Sequence, residues 1–300
     1  MKKTILTILT TLFISYTSFA QLVDSTQLMI DDIEKSLIYT TGIIELESGN
    51  ATLNVPNGFR YLDRKQGIYV LTELWGNPAD SSVLGLLVPE NRGVLDPNSW
   101  VFTISFDEMG YVKDDDADDI NYDDLLKEQQ EEFIIANPER IEQGYLPIEF
   151  IGWASSPYYD KNRKILHWAK ELKFGQDSLN TLNYNLRLLG RKGTFMLNAI
   201  ASMSELPEVK SSIDKVIGSV SFKDGHKYSD FIPEVDNVAE WTIGGLVAGK
   251  VLAKVGFFAL IAKFWKLIAL AVAGVGGSIW KYFNRQKTDD ETPKNNNDNA

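Results

Sequence analysis

The pattern of apolar and polar positions predicts a chain built mostly of strands. Short runs that are apolar or alternate between apolar and polar residues stand between Gly, Pro and Asn turn signals. The runs are ATLNVP (51–56), IYVLTELW (68–75), VLGLLVP (83–89), WVFTISF (100–106), ILHWAKELKF (165–174), LNYNLRLL (182–189), GTFMLNAIA (193–201) and SVSF (219–222). In ILHWAKELKF, Leu166, Trp168 and Lys170 fall on one face, because side chains alternate along a strand.

Apolar residues at helical spacing predict three helices among these runs. The first follows Ser25, its expected N-cap, the second covers about 122–136, and the third carries Val209 and Ile213. Runs of strands with few helices predict an α+β fold with a mostly antiparallel sheet. The strand–helix–strand order of residues 191–222 resembles that of the Mog1/PsbP-like sandwiches, a likeness of fold that implies no function.

The N-terminal residues predict export from the cytoplasm. Residues 1–20, MKKTILTILTTLFISYTSFA, combine two lysines, an apolar stretch and a small-x-small end, as in a cleaved secretory signal. The alternative is an uncleaved N-terminal membrane helix. The chain contains no cysteine, which excludes disulfides, thiolate metal sites and a thiol nucleophile.

Residues 243–281 are predicted to anchor the chain in a membrane. Residues 255–280 would form one transmembrane helix about 39 Å long at ~1.5 Å per residue. Its two internal lysines would reach the headgroup layer with their flexible side chains. The alternative is an interfacial helical hairpin with arms at 243–262 and 267–280.

The flanks of that segment predict its orientation. Lys281, Arg285 and Lys287 follow the apolar run, and such basic clusters stay on the cytoplasmic side. The domain 21–242 would then lie in the periplasm or otherwise outside the cytoplasm of a bacterial cell. The polar tail 282–300 would be cytoplasmic and disordered.

Charge is concentrated in one part of the domain. Residues 21–242 contain 37 acidic and 20 basic side chains, and residues 107–142 alone contain 14 acidic and three basic ones. Nucleic acid is therefore not an expected partner, because binding to phosphates requires positive charge. Cations and basic peptides remain open as partners.

Eight motifs occur in a fixed order along the chain. They are PNGFRYL, WGNP, LGLLVP, GYVKDDDA, GWASSPYYD, LHWAKELKF, LNYNLRLLGRKG and YSDFIPEVDNVAEW. The series, from about Gly49 to Lys281, resembles a bacterial membrane-protein family catalogued as domain of unknown function 2167. The resemblance implies an exported domain with a C-terminal membrane anchor and no established activity or cofactor. Where that family often has Tyr-Gly after DNVA, this chain has Glu240-Trp241-Thr242.

The acidic stretch GYVKDDDADDINYDD (110–124) is a candidate cation site. Asp114, Asp116 and Asp118 offer carboxylates at alternate positions, which Ca²⁺ or Mg²⁺ would accept. An EF-hand is excluded, because its sixth position would be Asp119 rather than Gly and its twelfth Leu125 rather than Glu.

The favoured interpretation of this stretch is a solvated turn before a helix. Asn121 or Asp123 would cap the helix, and acids suit the positive end of its dipole. Tyr111 and Tyr122 would pack while the aspartates face water. A third interpretation is an acidic face that docks a partner.

Catalytic motifs are weak in this chain. His167 and His226 are the only histidines, and neither G-x-S-x-G nor H-E-x-x-H occurs. The GRKG sequence at 190–193 is expected to be a hairpin turn. Arg187, Arg191 and Lys192 offer an anion site, although pairing with the abundant acids is the expected arrangement.

The segment GWASSPYYD (152–160) is a second candidate surface. Its Gly and Pro predict a loop that presents aromatic side chains, and loops often carry binding function. Other aromatic residues in the strand runs are expected to pack in the core.

Taken together, the sequence predicts a membrane-anchored extracytoplasmic domain that binds or scaffolds other envelope components. The candidate binding surface comprises Tyr111, Asp114, Asp116, Trp153, Pro157, Tyr158, Tyr159 and Arg191. Envelope proteins and the lipid bilayer are the expected partners, and no cofactor is expected beyond Ca²⁺ or Mg²⁺. The alternative is a carboxylate- or metal-dependent envelope hydrolase, and a mainly structural envelope protein also stays open.

Overall fold

A computed structural model describes residues 27–75, 77, 80–142, 144–176 and 178–248. Residues 27–36 are helical (α1) and belong to one compact unit, whereas the described residues from Leu37 onward belong to a second. The predicted signal peptide (1–20), membrane span (255–280) and tail (282–300) lie outside the described residues. Within the described ranges, no helix is both long enough and apolar enough to cross a membrane.

The second unit contains twelve described strands and four described α-helices. The strands are β1 (Ile43–Leu46), β2 (Ala51–Asn54), β3 (Phe59–Asp63), β4 (Val83–Pro89), β5 (Val101–Asp107), β6 (Tyr111–Lys113), β7 (Ile148–Asp160), β8 (Ile165–Phe174), β9 (Thr181–Leu189), β10 (Thr194–Ser202), β11 (Val220–Phe222) and β12 (Val238–Thr242). The helices are α2 (Arg64–Tyr69), α3 (Tyr122–Glu142), α4 (Leu206–Ser219) and α5 (Ile243–Ala248).

A seven-stranded antiparallel sheet dominates the unit, with the strand order β3-β4-β5-β10-β9-β8-β7. A smaller sheet has the order β1-β2-β11, and β6 pairs in parallel with β12. The predicted α+β class with a mostly antiparallel sheet is therefore confirmed.

Both faces of the large sheet are covered. On one face, Leu186 and Leu197 pack with Val209 and Val216 of α4 and with Leu53 of the small sheet. On the other face, α2 packs over β3, β4 and β5, while α3 and α5 pack over β7 and β8. Among the polar side chains on this second face, Thr103, Asn185 and Arg187 are buried, whereas Asn198 is half-buried.

The predicted strand at 68–75 is wrong. This segment continues α2 and forms a π-helical turn over Val70–Leu74. Asp63 starts the helix, because its carboxylate accepts a hydrogen bond of 2.9 Å from the Gln66 N–H. Burial of Val70 and Leu71 against the sheet outweighs the strand preference of this apolar run.

The predicted loop at 152–160 is also wrong, because these residues form the second half of β7. The pairing with β8 shifts register at three places, between Phe150 and Gly152, Trp153 and Ser155, and Ser155 and Tyr158. Such bulges let an edge strand contain Gly and Pro without ending it.

Candidate functional site

Asp114 is the centre of a hydrogen-bonded cluster at the turn between β7 and β8. Its Oδ2 atom accepts hydrogen bonds from the Tyr159 hydroxyl at 2.8 Å and from Lys164 Nζ at 2.7 Å. Its Oδ1 atom accepts one from the Tyr228 hydroxyl at 3.0 Å. Tyr111 stacks on the Tyr228 ring with 4.4 Å between centroids. The structure thus brings together three of the predicted surface residues, Tyr111, Asp114 and Tyr159.

The cluster favours a charged Asp114. Burial raises the pKa of this carboxyl, but the hydrogen bonds from Lys164, Tyr159 and Tyr228 outweigh burial and hold the pKa below its ordinary value. Burial and the neighbouring Asp114 raise the pKa of both tyrosines. Each hydroxyl therefore stays protonated. The Tyr159 hydroxyl donates to the carboxylate, whereas the Tyr228 hydroxyl is shared between the carboxylate and the Val112 carbonyl, which lies 2.9 Å away.

Asp116 has a different role, because it holds the start of α5. Its carboxylate accepts hydrogen bonds from the backbone N–H groups of Ile243 at 3.0 Å and Gly244 at 2.8 Å. These groups have no partner within a helix, so an acidic side chain stabilises them. Asp118 in turn forms an exposed ion pair with Lys161.

The three carboxylates predicted to bind a metal do not converge. Asp114, Asp116 and Asp118 each contact a different set of partners, and the described residues contain no group of three His, Asp or Glu side chains that would hold a metal ion. Asn121 caps α3, since its side-chain oxygen accepts hydrogen bonds from the N–H groups of Asp123 and Asp124. The predicted cap is correct, but Asp114 and Asp116 do not face water as the predicted solvated turn requires.

The other predicted surface residues take no part in the hydrogen bonds of this cluster. Trp153 packs edge-on against Phe150 and donates a hydrogen bond of 3.2 Å to the Tyr122 carbonyl. Pro157 is buried. Tyr158 is 56% exposed and lies on the opposite face of β7 from Tyr159, edge-on to the His167 ring at 5.0 Å.

The two histidines sit in different settings. Burial lowers the pKa of His167, whose Nδ1 lies 3.4 Å from the Tyr184 hydroxyl. His226 lines an open cavity of about 190 Å³ together with Glu47, Glu108 and Lys192. Neither arrangement contains the nucleophile–base–carboxylate geometry of a triad.

The predicted pairing of basic residues with acids is correct for Arg191. Its guanidinium donates hydrogen bonds of 2.7 Å and 3.0 Å to the two carboxylate oxygens of Asp236. This bidentate ion pair joins the β9–β10 hairpin to the segment before β12, and it leaves Arg191 as a structural residue.

Arg187 is different, although it lies on the same hairpin. It is 8% exposed, and its guanidinium donates to three neutral acceptors: the Leu186 carbonyl at 2.9 Å, Asn198 Oδ1 at 2.8 Å and Asn185 Oδ1 at 3.5 Å. Burial lowers its pKa to about 10, an effect that Asp107 opposes from a distance. No carboxylate among the described residues forms an ion pair with it.

A second cation, Lys170, is enclosed on the same sheet face. It donates a hydrogen bond to the side-chain oxygen of Gln129 on α3. Burial lowers its pKa to about 7; Glu132 opposes this effect and Arg187 adds to it. Sequence analysis placed Lys170 on a face with Leu166 and Trp168 but gave it no role. The sequence feature that could have identified it is a lysine among apolar residues on one face of a strand.

Comparison with known proteins adds a family but no activity. A family model described as "Protein of unknown function (DUF2167)" matches residues 38–276. A search of curated proteins finds no match.

Solved structures give only distant similarities. Cyanobacterial PsbP (CyanoP) from Synechocystis sp. PCC 6803 is 13% identical with a TM-score of 0.36, over 62% of this chain and 94% of that one. The Saccharomyces cerevisiae Ran-binding protein Mog1p is 12% identical with a TM-score of 0.32, over 65% and 100%. LpqN of Mycobacterium tuberculosis, described as involved in cell envelope biogenesis, is 11% identical with a TM-score of 0.28, over 64% and 95%. Similarities of this size carry no argument about function.

Proposed function

Because the chain belongs to the DUF2167 family of proteins of unknown function, we propose a function from its own residues: it is a binding module of the bacterial cell envelope, held at the membrane by its C-terminal region. The domain would lie outside the cytoplasm and take envelope components as partners. Its acidic surface does not suit nucleic acid.

This proposal rests on how α5, the last described helix, packs into the domain. Asp116 holds the first two N–H groups of α5, and Ile243 and Val247 of that helix are 0% exposed. Gln129 of α3 donates a hydrogen bond of 3.3 Å to the Val247 carbonyl. The exit segment is therefore part of the domain core, and the apolar residues 255–280 begin only a few positions later.

A domain joined to its anchor in this way would have a fixed orientation at the membrane. A flexible linker would let the domain tumble, whereas a packed exit helix restricts which surfaces face the bilayer. The signal-like residues 1–20 and the basic flank after Trp280 support the same orientation, with the domain outside and the tail inside.

Binding is favoured over hydrolysis by what the acidic residues do. Asp114 and Asp116, which would supply hydrolytic chemistry, are used as acceptors for tyrosine, lysine and backbone donors of the fold. A carboxylate that accepts several hydrogen bonds is a poor general base, because its pKa is held low.

Fractionation of bacterial cells that express the chain tests the anchor. We expect the full chain to stay with membranes after an alkaline carbonate wash, and a chain that ends at Ala248 to be soluble. Release of the full chain by carbonate would refute the proposal.

Orientation can be tested with single cysteines, because the chain has none of its own. In spheroplasts, a membrane-impermeant maleimide should label Tyr158→Cys, whose side chain is exposed, and should not label Asn296→Cys in the tail. Labelling of both positions would indicate the interfacial hairpin, and labelling of the tail alone would reverse the orientation.

A further inference from the structure

A strip of polar side chains crosses the face of the large sheet that lies opposite α4. Asn185 of β9, Asn198 of β10 and Thr103 of β5 are direct register partners across three neighbouring strands. Arg187 follows Asn185 by two residues and so lies on the same face. Thr103, Asn185 and Arg187 are all buried. A polar strip in the interior of a sheet is unusual, because enclosed polar groups are costly unless they find partners.

Arg187 carries a positive charge that its neighbours do not neutralise. Its three hydrogen-bond acceptors are two amide oxygens and one carbonyl oxygen. Asp107 acts on it only from a distance. An enclosed guanidinium normally pairs with a carboxylate or another anion, because an isolated buried charge is strongly unfavourable.

Trp168 provides a second, independent observation at the same place. The guanidinium carbon of Arg187 lies 5.0 Å from the centre of the Trp168 ring. The indole N–H of Trp168, a residue that is 2% exposed, has no hydrogen-bond partner among the described residues. An indole N–H can only donate a hydrogen bond, so this buried group is satisfied only if an acceptor lies next to it. A surplus positive charge and an unused donor thus occur side by side.

We propose that Arg187, Trp168 and Asn198 bind a compact oxyanion, the carboxylate or phosphate group of a small ligand, on this face of the sheet. The planar guanidinium matches both groups, since each presents oxygen atoms in the spacing that a fork of N–H donors requires. Lys170, on the strand next to β9, lies on the same face of the sheet. This inference gives the proposed binding module its class of ligand and rests on that function.

Arg191 supplies an internal comparison. It lies four residues after Arg187, and its guanidinium is fully matched by the Asp236 carboxylate. The fold therefore pairs an arginine with an acid where the arginine holds two segments together. Arg187 lacks such an acid, which points to an anion from outside the described residues.

Thermal unfolding of the full chain in detergent tests the site. Sodium phosphate and sodium acetate are titrated separately at pH 7, against sodium chloride at matched ionic strength. We expect one of the two oxyanions to raise the midpoint in a saturable way, because a ligand that binds only the folded state stabilises it. A response to acetate indicates a carboxylate ligand, and a response to phosphate a phosphorylated one. No response beyond that of chloride overturns the proposal.

Three variants decide where the anion binds. Arg187→Gln should weaken the response about ten- to a hundredfold, the loss expected for a charge-assisted bond, whereas Arg191→Gln should leave the apparent affinity unchanged. Asn198→Asp places a carboxylate at the acceptor of Arg187. It should raise the midpoint without added anion and abolish the response.

The outcomes separate this inference from the proposed anchor. If Arg187→Gln does not fold, Asn198→Asp alone decides, and a full anion response in Asn198→Asp refutes the site. Equal losses in Arg187→Gln and Arg191→Gln also refute it. Membrane retention without an anion response refutes the ligand class but keeps the anchor. An anion response without membrane retention refutes the anchor but keeps the ligand class.

Discussion

The hydroxyl of Tyr159 donates a hydrogen bond of 2.8 Å to Oδ2 of Asp114, and this bond ties the acidic segment to the large sheet. Lys164 and Tyr228 donate to the same carboxylate. The densest run of aspartates in the chain therefore contains a residue that organises its surroundings. Asp114 joins β6 to the β7–β8 turn and to the segment that follows β11.

Replacement of Asp114 should destabilise the domain. Asp114→Asn removes the charge that accepts three hydrogen bonds and places an amide donor near Lys164. We expect the free energy of unfolding to fall by about 2–3 kcal/mol, in line with hydrogen bonds to charged groups. Asp115→Asn, at an exposed neighbouring position, should change it by less than about 0.5 kcal/mol. Urea unfolding at pH 7 measures both, and equal effects would contradict the assignment.

The same carboxylate should contribute to acid sensitivity. The pKa of Asp114 is lowered in the folded state, so the unfolded chain binds this proton more readily. The stabilisation is present above the unfolded pKa of about 3.9 and is lost as the pH falls through the folded value. Between pH 5 and pH 3, the wild type should therefore lose more stability than Asp114→Asn. Parallel slopes for the two proteins would show that the cluster does not act in this way.

Much of the fold could be predicted from the sequence, because local patterns determine it. Alternation in β8, β9 and β10 and helical spacing in α3 and α4 reflect neighbours a few residues apart. The segment 68–75 could not be assigned in this way, since a run of apolar residues suits either a buried strand or a buried helix. The strand β7 was missed because its bulges accommodate Gly and Pro.

The candidate site depends on long-range contacts that sequence patterns do not contain. Tyr228 meets Asp114 across 114 positions, and Ile243 meets Asp116 across 127. Arg187 and Arg191 look equivalent in the sequence. Only the position of Asp236, brought in by the segment before β12, distinguishes the paired arginine from the unpaired one.

Asp116 should control the order of α5. Asp116→Ala removes the acceptor for the Ile243 and Gly244 N–H groups, so the short helix should fray. We expect amide hydrogen exchange in 243–248 to become about fivefold faster, which corresponds to the ~1 kcal/mol of a lost cap. Asp118→Ala breaks only an exposed ion pair and should leave this exchange unchanged. Unaltered exchange in Asp116→Ala would contradict the role of this residue in holding the exit helix.

Calcium and magnesium should not bind tightly to the acidic stretch. Asp114, Asp116 and Asp118 point at separate partners, and a cation needs several oxygen atoms within 2.6 Å. We expect calorimetric titration of either ion into the full chain to show no micromolar binding. Micromolar binding that disappears when the three residues are changed to Asn would instead establish a metal site there.

Lys170 should make the domain more stable as the pH rises from about 7 towards 10. Its pKa is about 7 in the folded protein, because burial disfavours the charged form, and about 10.4 when unfolded. Between these values the unfolded chain binds more protons than the folded one, so the free energy of unfolding increases with pH. Below pH 7 both states are protonated, and this contribution no longer changes.

A variant without the amine isolates this effect from other titrating groups. Lys170→Met keeps an unbranched side chain that is only one atom shorter and removes the titrating amine. Glu132 on α3 and Arg187 on β9 act on Lys170 and are present in both proteins, as is the hydrogen-bond acceptor Gln129. Urea unfolding between pH 7 and pH 9.5 should therefore give a steeper rise for the wild type than for Lys170→Met. If the two slopes are equal, or if the wild type loses stability over this range relative to the variant, Lys170 is not a buried amine of lowered pKa.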